Sequence, residues 1–380
     1  MIYADLHIHI GQSLDGRAVK ITAAKSLSLP NIIETAQEVK GLSLIGVVDA
    51  QSPGVRRDLT ALLSAGVLHP HSGGGYTTGK LTLIPGTEIE LKAGTGSAHF
   101  LAFFPALEQL ERYARRLSPY VKNLQLSSQR AYLAVPDWLE IVQETGGIWL
   151  PAHAFTPHKG IYGNCCRRLA EVLPVLPQAL EIGLSADRSM ALSVSELQGV
   201  QLFSNSDAHS LPNIAREYNA LRLGDNSFQG LEDLFAGRAG EITGNYGLPP
   251  IVGKYHRTYC LVCEQVVEEE PPRLTCPRCG SSKVVMGVLD RLRVIADRIP
   301  PDDFRYHYQV PLSQLPGIGP KTYAHLLKAF GTEMAVLHDA PEGDLARAGG
   351  EKAAYWIMKA RSGELNFSPG GGGIFGHVKM

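Results

Sequence analysis

No stretch of the chain approaches the uninterrupted apolar length that crosses a bilayer. The opening Met1-Ile2-Tyr3-Ala4-Asp5 has neither the basic flank nor the apolar run of a secretion signal. A soluble, cytoplasmic protein with no membrane association is therefore expected. An excess of charge of one sign is also missing. The net charge is −1 over 380 residues, and residues 250–380 hold 16 Lys and Arg against 14 Asp and Glu. Nucleic-acid binding through bulk charge is excluded, so any such footprint must come from local patches and backbone donors. Cysteine is scarce. Of the six present, four form a spaced quartet and two, Cys165 and Cys166, are adjacent and badly placed to pair with each other. That usage points to metal ligation in a reducing compartment, not to a disulfide framework. No solenoid-type repeat is visible.

The apolar fraction of 44% supports sizeable cores, and the length allows two or three domains. Seven apolar runs occur before residue 245: Ile2–Ile10, Leu44–Val48, Leu81–Ile89, Ala98–Phe104, Gly147–Ala154, Ala179–Leu184 and Val200–Ser204. Helix-like segments lie between several of them, at Asn31–Lys40, Val55–Ala65 and Pro136–Thr145, with Pro near their starts and Gly at their ends. The alternation predicts an α/β fold with a parallel sheet, open or closed into a barrel. The Gly- and Pro-rich segment Gly244–Gly253 reads as a boundary. A compact helical segment is expected from Ser313 to about Ser362, and a flexible Gly-rich tail over 369–380.

The strongest chemical signal is the placement of His, Asp and Glu. In Asp5-Leu6-His7-Ile8-His9 the period of two puts Asp5, His7 and His9 on one face of a strand. Asp49, Glu88, His153 and Glu181 end later runs, His99 opens another, and Asp207 and His209 follow the seventh. Ligands at strand ends converge on the face where parallel α/β folds do chemistry. Mixed imidazole and carboxylate donors suit zinc, manganese or iron. So many donors exceed one tetrahedral site, and clustered divalent ions suit phosphoryl transfer.

Cys260-Leu-Val-Cys263 and Cys276-Pro-Arg-Cys279 are two knuckles with the spacing of a closed four-thiolate zinc site. Beside them Lys254 and Arg257 form a basic segment able to touch phosphate. Further on, Leu315-Pro316-Gly317-Ile318-Gly319-Pro320-Lys321-Thr322 opens a helix. Backbone amides at Gly317 and Gly319 can meet a phosphate at the positive helix N-terminus, with Lys321 nearby.

These motifs carry a resemblance. Asp5-Leu6-His7-Ile8-His9, Gly86-Thr87-Glu88, Ala98-His99, Ala152-His153 and Ser206-Asp207-Ala208-His209 resemble the successive motifs of the PHP superfamily, named for polymerase and histidinol phosphatase. The resemblance implies a distorted (β/α)7 barrel with a trinuclear centre. It assigns His7, His9, Glu88 and Asp207 to one ion, Glu88 with His99 and His153 to a second, and His209 to a third. Many PHP proteins have Asp-His after the second strand, where this chain has Asp49-Ala50-Gln51, so Asp49 stands in as a ligand there. The Gly-Ile-Gly segment is similar to the helix-hairpin-helix motif of DNA repair proteins, which grips the backbone without reading sequence.

The full order of PHP domain, four-Cys module and helix-hairpin-helix segment resembles the endonuclease Q family. It includes Leu126-Ser127-Ser128-Gln129-Arg130, Ala152-His153-Ala154-Phe155-Thr156-Pro157 and Gly253-Lys254-Tyr255-His256-Arg257-Thr258. The resemblance implies incision of damaged DNA on the 5′ side of hypoxanthine, uracil, xanthine or an abasic site, by two to three divalent ions (zinc, manganese or magnesium), with a structural zinc on the cysteines. The expected divisions are a PHP domain at 1–248, a zinc module at 249–290, a helical DNA-binding domain at 291–368 and the tail. An extruded base needs a pocket, for which Ser128, Gln129, Arg130, Lys159 and Tyr162 are candidates. A small-molecule phosphatase and a non-catalytic DNA-binding scaffold are the competing readings. Nothing in the sequence identifies a protein partner.

Overall fold

The structure is a computed structural model and describes residues 1–379. Met380, the last residue of the expected tail, lies outside the described residues. All seven apolar runs form strands. In chain order the first part contains β1 (Ile2–Ile8), β2 (Leu44–Val47), the two-residue β3 (His69–Pro70) and β4 (Tyr76–Thr77), β5 (Thr82–Ala93), β6 (Gly96–Phe103), β7 (Ile148–Pro151), β8 (Ala179–Glu181) and β9 (Gln201–Phe203). Two more follow, β10 (Tyr218–Arg222) and β11 (Glu241–Gly247). The helices among them are α1 (Leu29–Glu34, running on as a wider π turn through Thr35–Lys40), α2 (Pro53–Ser64), α3 (Leu107–Leu117), α4 (Val135–Glu144), α5 (Arg188–Leu192) and α6 (Phe228–Phe235). The three sequence-predicted helices correspond to α1, α2 and α4, each with Pro at its start.

β1, β2 and β5 run parallel, as the alternation predicts. β5 then turns straight back through Gly94 into antiparallel β6, which pairs antiparallel with β7. β10 and β11 add antiparallel strands on the other flank of β1, while β8 and β9 form a separate parallel pair. The fold is thus mixed α/β, and its distortion from a uniform parallel array lies in the β5–β6 hairpin and in β10. Local periodicity cannot distinguish a strand that crosses over from one that turns back.

One buried cluster collects Ala4, Leu6, Leu44, Ile84, Leu101, Phe103, Phe203 and Leu221 from the strands with Phe228, Leu231, Leu234 and Phe235 of α6. Burying each large side chain stabilises by about 1.5–3 kcal/mol. The close fit explains two glycines: a β-carbon at Gly46 or Gly86 would stand 2.7 or 2.6 Å from the Phe103 ring. A larger cluster lies between the strands and the helices and includes Val47, Leu83, Phe100, Trp138 and Leu180.

The four-Cys module is a small sheet of β12 (Tyr259–Cys260), β13 (Gln265–Val266) and β14 (Val284–Val285). Next come α7 (Val288–Ile295) and β15 (Tyr306–Tyr308). Val288, Leu292 and Ile295 join the large core cluster, and β15 pairs parallel with β11. Most of the stretch 288–308 therefore packs with the first 248 residues, against the expected division at 290/291. Its polar, Pro-interrupted composition conceals this, because the partners are supplied by distant strands. The helical segment holds α8 (Pro320–Phe330), α9 (Glu342–Gly349) and α10 (Glu351–Arg361) around Leu312, Ile318, Leu326, Leu345 and Ile357.

The Gly-rich tail is corrected. Ser368 N donates to His377 O at 2.8 Å and Gly371 N to Ile374 O at 2.9 Å, making a hairpin. Gly370 N and Gly376 N donate to Ile251 O and Val252 O at 2.8 and 2.9 Å. Glycine permits this docking: a β-carbon at Gly370 would stand 2.4 Å from Val252 O.

Candidate active site

β1 delivers the first donors. Its register against β2 shifts between Asp5 and Ile8, and His9 follows the strand end. Asp5 shares the face but is a clamp, not a ligand. Its carboxylate accepts from Ser206 N at 3.1 Å and Ala215 N at 3.0 Å, tying the Asp207 loop to β1.

His7 Nδ1 lies 3.0 Å from Glu181 Oε2, and His9 Nδ1 lies 3.1 Å from each oxygen of Asp49. Each ring, when neutral, therefore carries its proton at Nδ1 and turns the Nε2 lone pair inward. The two Nε2 atoms sit 3.3 Å apart. Lone pairs that close are repulsive unless a cation lies between them, which is the mark of an ion site. The surrounding charge agrees. Burial alone would lower the His7 pKa, yet Glu181 and Asp207 outweigh it and push the ring up to about 10.

Glu88, fully buried on β5, is the centre of the array. Its Oε1 lies 2.8 Å from His99 Nδ1, 3.5 Å from His153 Nε2 and 3.6 Å from His7 Nε2; its Oε2 lies 3.6 Å from His9 Nε2. The His99 contact is short but out of line for a hydrogen bond, and that buried Nδ1 has no hydrogen-bond partner among the described residues. Asp207 Oδ1 stands 3.5, 3.3 and 3.3 Å from the Nε2 atoms of His7, His9 and His209. Burial would raise both carboxyl pKa values, but the facing imidazoles, and for Glu88 also Lys20, hold them well below the usual range. Three overlapping groups have donor atoms within 4.8 Å of one another: His7, His9 and Glu88; Glu88, His99 and His153; His9, Asp207 and His209. A buried donor set of this chemistry fits divalent ions.

Asp49 joins none of these groups, which corrects its assignment as a ligand. Both its oxygens stand behind His9 at Nδ1, and they also accept from Ile10 N at 2.6 Å and from Ser127 Oγ. It orients His9 as Glu181 orients His7. Glu181 also accepts from His153 N at 3.0 Å and Asn205 Nδ2 at 2.9 Å. Loss of such an outer carboxylate typically weakens metal affinity by about 10–100-fold. Glu181→Gln is expected to show that loss in metal titration, and unchanged binding would show that His7 needs no orienting partner.

Glu88, His99, His153, Asp207 and His209 line a cavity of about 580 Å³ together with Lys20, Ser128, His158, Lys159, Arg216, Lys254, Tyr255 and Phe375, while His7 and His9 are fully buried behind them. Among the described residues six non-glycine residues have positive φ, and four of them (Ser128, His153, Lys159 and Asp207) line this cavity. Such conformations cost about 1–3 kcal/mol each and concentrate where function demands an otherwise disfavoured geometry. Gly183 completes the fit, since a β-carbon there would lie 3.0 Å from that of His153.

Sequence reasoning missed Lys20 and Arg216. Lys20 Nζ lies 3.1 Å from Glu88 Oε2 and donates to Ser128 Oγ. Arg216 Nε donates to Ser206 O at 2.8 Å. Neither belongs to a periodic run or a motif, so no local signal marked them.

The base-pocket candidates divide. Ser128 reaches the Glu88 carboxylate, and Lys159 lines the cavity with Nζ 2.8 Å from Glu90 Oε1. Tyr162 does not: it is buried, stacked on Phe155 and hydrogen bonded to Glu196 at 2.9 Å, inside the core. Gln129 and Arg130 run beside Glu90 in backbone pairing and do not line the cavity. Among the DNA-contact candidates, Lys254 faces the cavity. Arg257 is engaged internally, with Asp290 at 3.2 Å and the Glu268 and Glu269 carbonyls, so it has no free fork for phosphate.

In the small module the Cys260–Cys279 and Cys263–Cys276 sulfurs are each 3.8 Å apart. Tetrahedral thiolates at a zinc–sulfur distance of about 2.3 Å would be separated by about 3.8 Å, so the quartet fits zinc. At the head of α8, Gly317 has φ of 84° and Gly319 opens the helix, with nothing within 4 Å of where its β-carbon would be. Lys321 is exposed in its first turn.

Fold and site together define an α/β protein with a clustered His, Asp and Glu donor set of metal-binding type beside a cavity. Two solved structures match this chain over its whole length. The lesion-specific endonuclease PfuEndoQ of Pyrococcus furiosus gives a TM-score of 0.84 at 29% identity, covering 100% of this chain and 95% of that one. An endonuclease Q complex with a 27-mer duplex substrate bearing an abasic lesion at the active site gives 0.83 at 28%, covering 100% and 96%. In sequence, the uncharacterized protein YqxK of Bacillus subtilis is 45% identical over 388 residues, 100% of this chain and 99% of its own length. An uncharacterized protein of Methanocaldococcus jannaschii is 31% identical over 284 residues, 69% of this chain and 34% of its own length. No protein-family model matches the chain. The chain belongs to the endonuclease Q family and is a metal-dependent DNA endonuclease, a hydrolase. The phosphatase and scaffold readings are thereby set aside. Among the described residues no helix is long and apolar enough to cross a membrane.

Proposed function

We propose that this enzyme repairs DNA by hydrolysing the phosphodiester on the 5′ side of deaminated bases (hypoxanthine, uracil and xanthine) and of abasic sites. The observation that carries the reading is the full-length likeness to an endonuclease Q bound to a duplex with an abasic lesion at its active site. The site agrees: donor groups for several ions line, or lie buried behind, the wall of a cavity that also bears Lys20, Lys159, Arg216 and Lys254.

His7, His9, Glu88 and Asp207 would hold one ion, Glu88, His99 and His153 a second, and His209 with Asp207 a third; zinc, manganese and magnesium are the candidates. Such ions supply Lewis acidity to the phosphate and lower the pKa of water. The chain's own residues do the rest. Glu181 and Asp49 hold the rings of His7 and His9 in their ligating tautomer. Lys20 offsets the charge of Glu88 at Oε2, the oxygen that also faces His9. Lys254 and Arg216 place positive charge where the phosphates of an extruded nucleotide would enter. Ser128 and Lys159 are placed to meet that nucleotide. Gly319 and Lys321 at the head of α8 would grip the DNA backbone at a distance from the chemistry.

A panel of end-labelled duplexes, each with one lesion, incubated with several divalent metals, tests the reading. Cuts mapped to the 5′ side of the lesions are expected, with undamaged duplex intact. Turnover of a generic phosphomonoester with every duplex uncut would overturn it.

The grip has its own test. Gly319 has ordinary φ and open space, so Gly319→Val should fold normally while covering the α8 amides. Affinity for damaged and undamaged DNA should fall alike, by roughly tenfold, because a backbone contact carries no base information. Loss of lesion preference alone would move damage recognition into the helices.

A further inference from the structure

The Gly-rich hairpin contributes to the wall of the cavity that holds the donors. Phe375 lines that cavity, and its ring centroid lies 5.6 Å from both the Arg216 guanidinium and Lys254 Nζ. The hairpin is held by the hydrogen bonds to Ile251 and Val252 and by Gly373 N to Lys254 O at 3.2 Å. Its tip is thin, because Gly371, Gly372 and Gly373 carry no side chains, and the next residue, Ile374, is 74% exposed. Ile374 thus holds a large aliphatic side chain out into solvent, next in sequence to the Phe375 ring that contacts the two cations.

We propose that this tip is a wedge for the DNA stack: Ile374 enters the gap left by the extruded nucleotide, and Phe375 fixes the tip to the cavity wall through Arg216 and Lys254. The inference rests on the proposed function. Extrusion leaves an unstacked step, and an apolar side chain that fills such a step holds it open. Arg216 and Lys254, each 5.6 Å from the Phe375 ring, give the neighbourhood of the tip a positive charge that complements a polyanion.

The test uses the full chain with its metals and compares one lesion in duplex and in single strand. A single strand has no stack to open, so the wedge predicts a defect confined to duplex. For Ile374→Ala, kcat/KM on duplex should fall by roughly tenfold, with single-strand cleavage and metal content at wild-type levels. Ile374→Leu should restore duplex cleavage. A 2-aminopurine beside the lesion should brighten on binding wild type and respond less to Ile374→Ala, independently of cleavage. Wild-type duplex cleavage by Ile374→Ala, or an equal loss on duplex and single strand, would overturn the wedge. A wild-type enzyme that cuts neither substrate would instead overturn the proposed function, and the fluorescence would still decide whether the tip opens the stack.

Discussion

Asp207→Ala is expected to reduce lesion cleavage by on the order of a thousandfold, the loss typical when a group that stabilises charge in the reaction is removed. One oxygen, Asp207 Oδ1, stands within 3.5 Å of three imidazole nitrogens. No other carboxylate can take its place, since Asp49 and Glu181 are committed behind the rings and Glu88 already faces His99 and His153. Removal of its negative charge leaves His7, His9 and His209 with a weaker hold on a shared cation. Asp207 also has φ of 46°, and Ala at that position has no side-chain contacts to enforce the conformation. DNA affinity should change little, because the α8 head lies in a different part of the chain. Metal analysis should show fewer ions per chain, with the cysteine site still filled. Asp207→Asn separates charge from shape: it keeps the volume and should lose nearly as much activity. Normal cleavage with unchanged metal content would remove Asp207 from the centre.

Replacing Cys276 and Cys279 with Ser should release about one zinc per chain and unfold the small module. The module has little else to hold it together. Its three strands are two residues each, and Cys260, Cys276 and Val267 are its main buried apolar positions. A metal in such a setting contributes on the order of 10 kcal/mol, far more than that core can. Asp290 docks the module onto α7 by accepting from Thr258 N at 3.0 Å and Arg273 N at 2.7 Å, so the contact should be lost as well. Limited proteolysis should cut between residues 258 and 286 in the variant and not in the wild type. Retained zinc and retained protease resistance would refute the assignment. Catalytic ions should remain, since none of their donors lies in the module.

The parts of the site that were legible are those carried by short-range pattern. Asp5-Leu6-His7-Ile8-His9 shows its two inward imidazoles because a strand repeats every two residues. The knuckles of Cys260 to Cys279 show theirs because a turn of fixed length brings two thiolates together. The seven apolar runs became strands for the same reason: burial on a sheet leaves a mark on consecutive residues.

What local pattern carried is therefore the chemistry: the donor types, their places along the strands, the four-cysteine cluster and the glycines that open α8. How those groups divide the work was set by contacts between distant strands. Asp49 and His9 are 40 residues apart, and Glu181 lies 174 from His7. Which carboxylate faces an ion and which stands behind a ring depends on the side of the imidazole it approaches. That is set by the crossing of distant strands and leaves no trace in local composition. Lys20, Arg216 and Phe375 reached the cavity by the same route. Arg257 and Tyr162 left their expected roles because long-range partners, Asp290 and Glu196, satisfied their polar groups elsewhere. Local periodicity records which residues are buried or ligating in kind, whereas role follows from three-dimensional neighbours that the chain brings together only on folding.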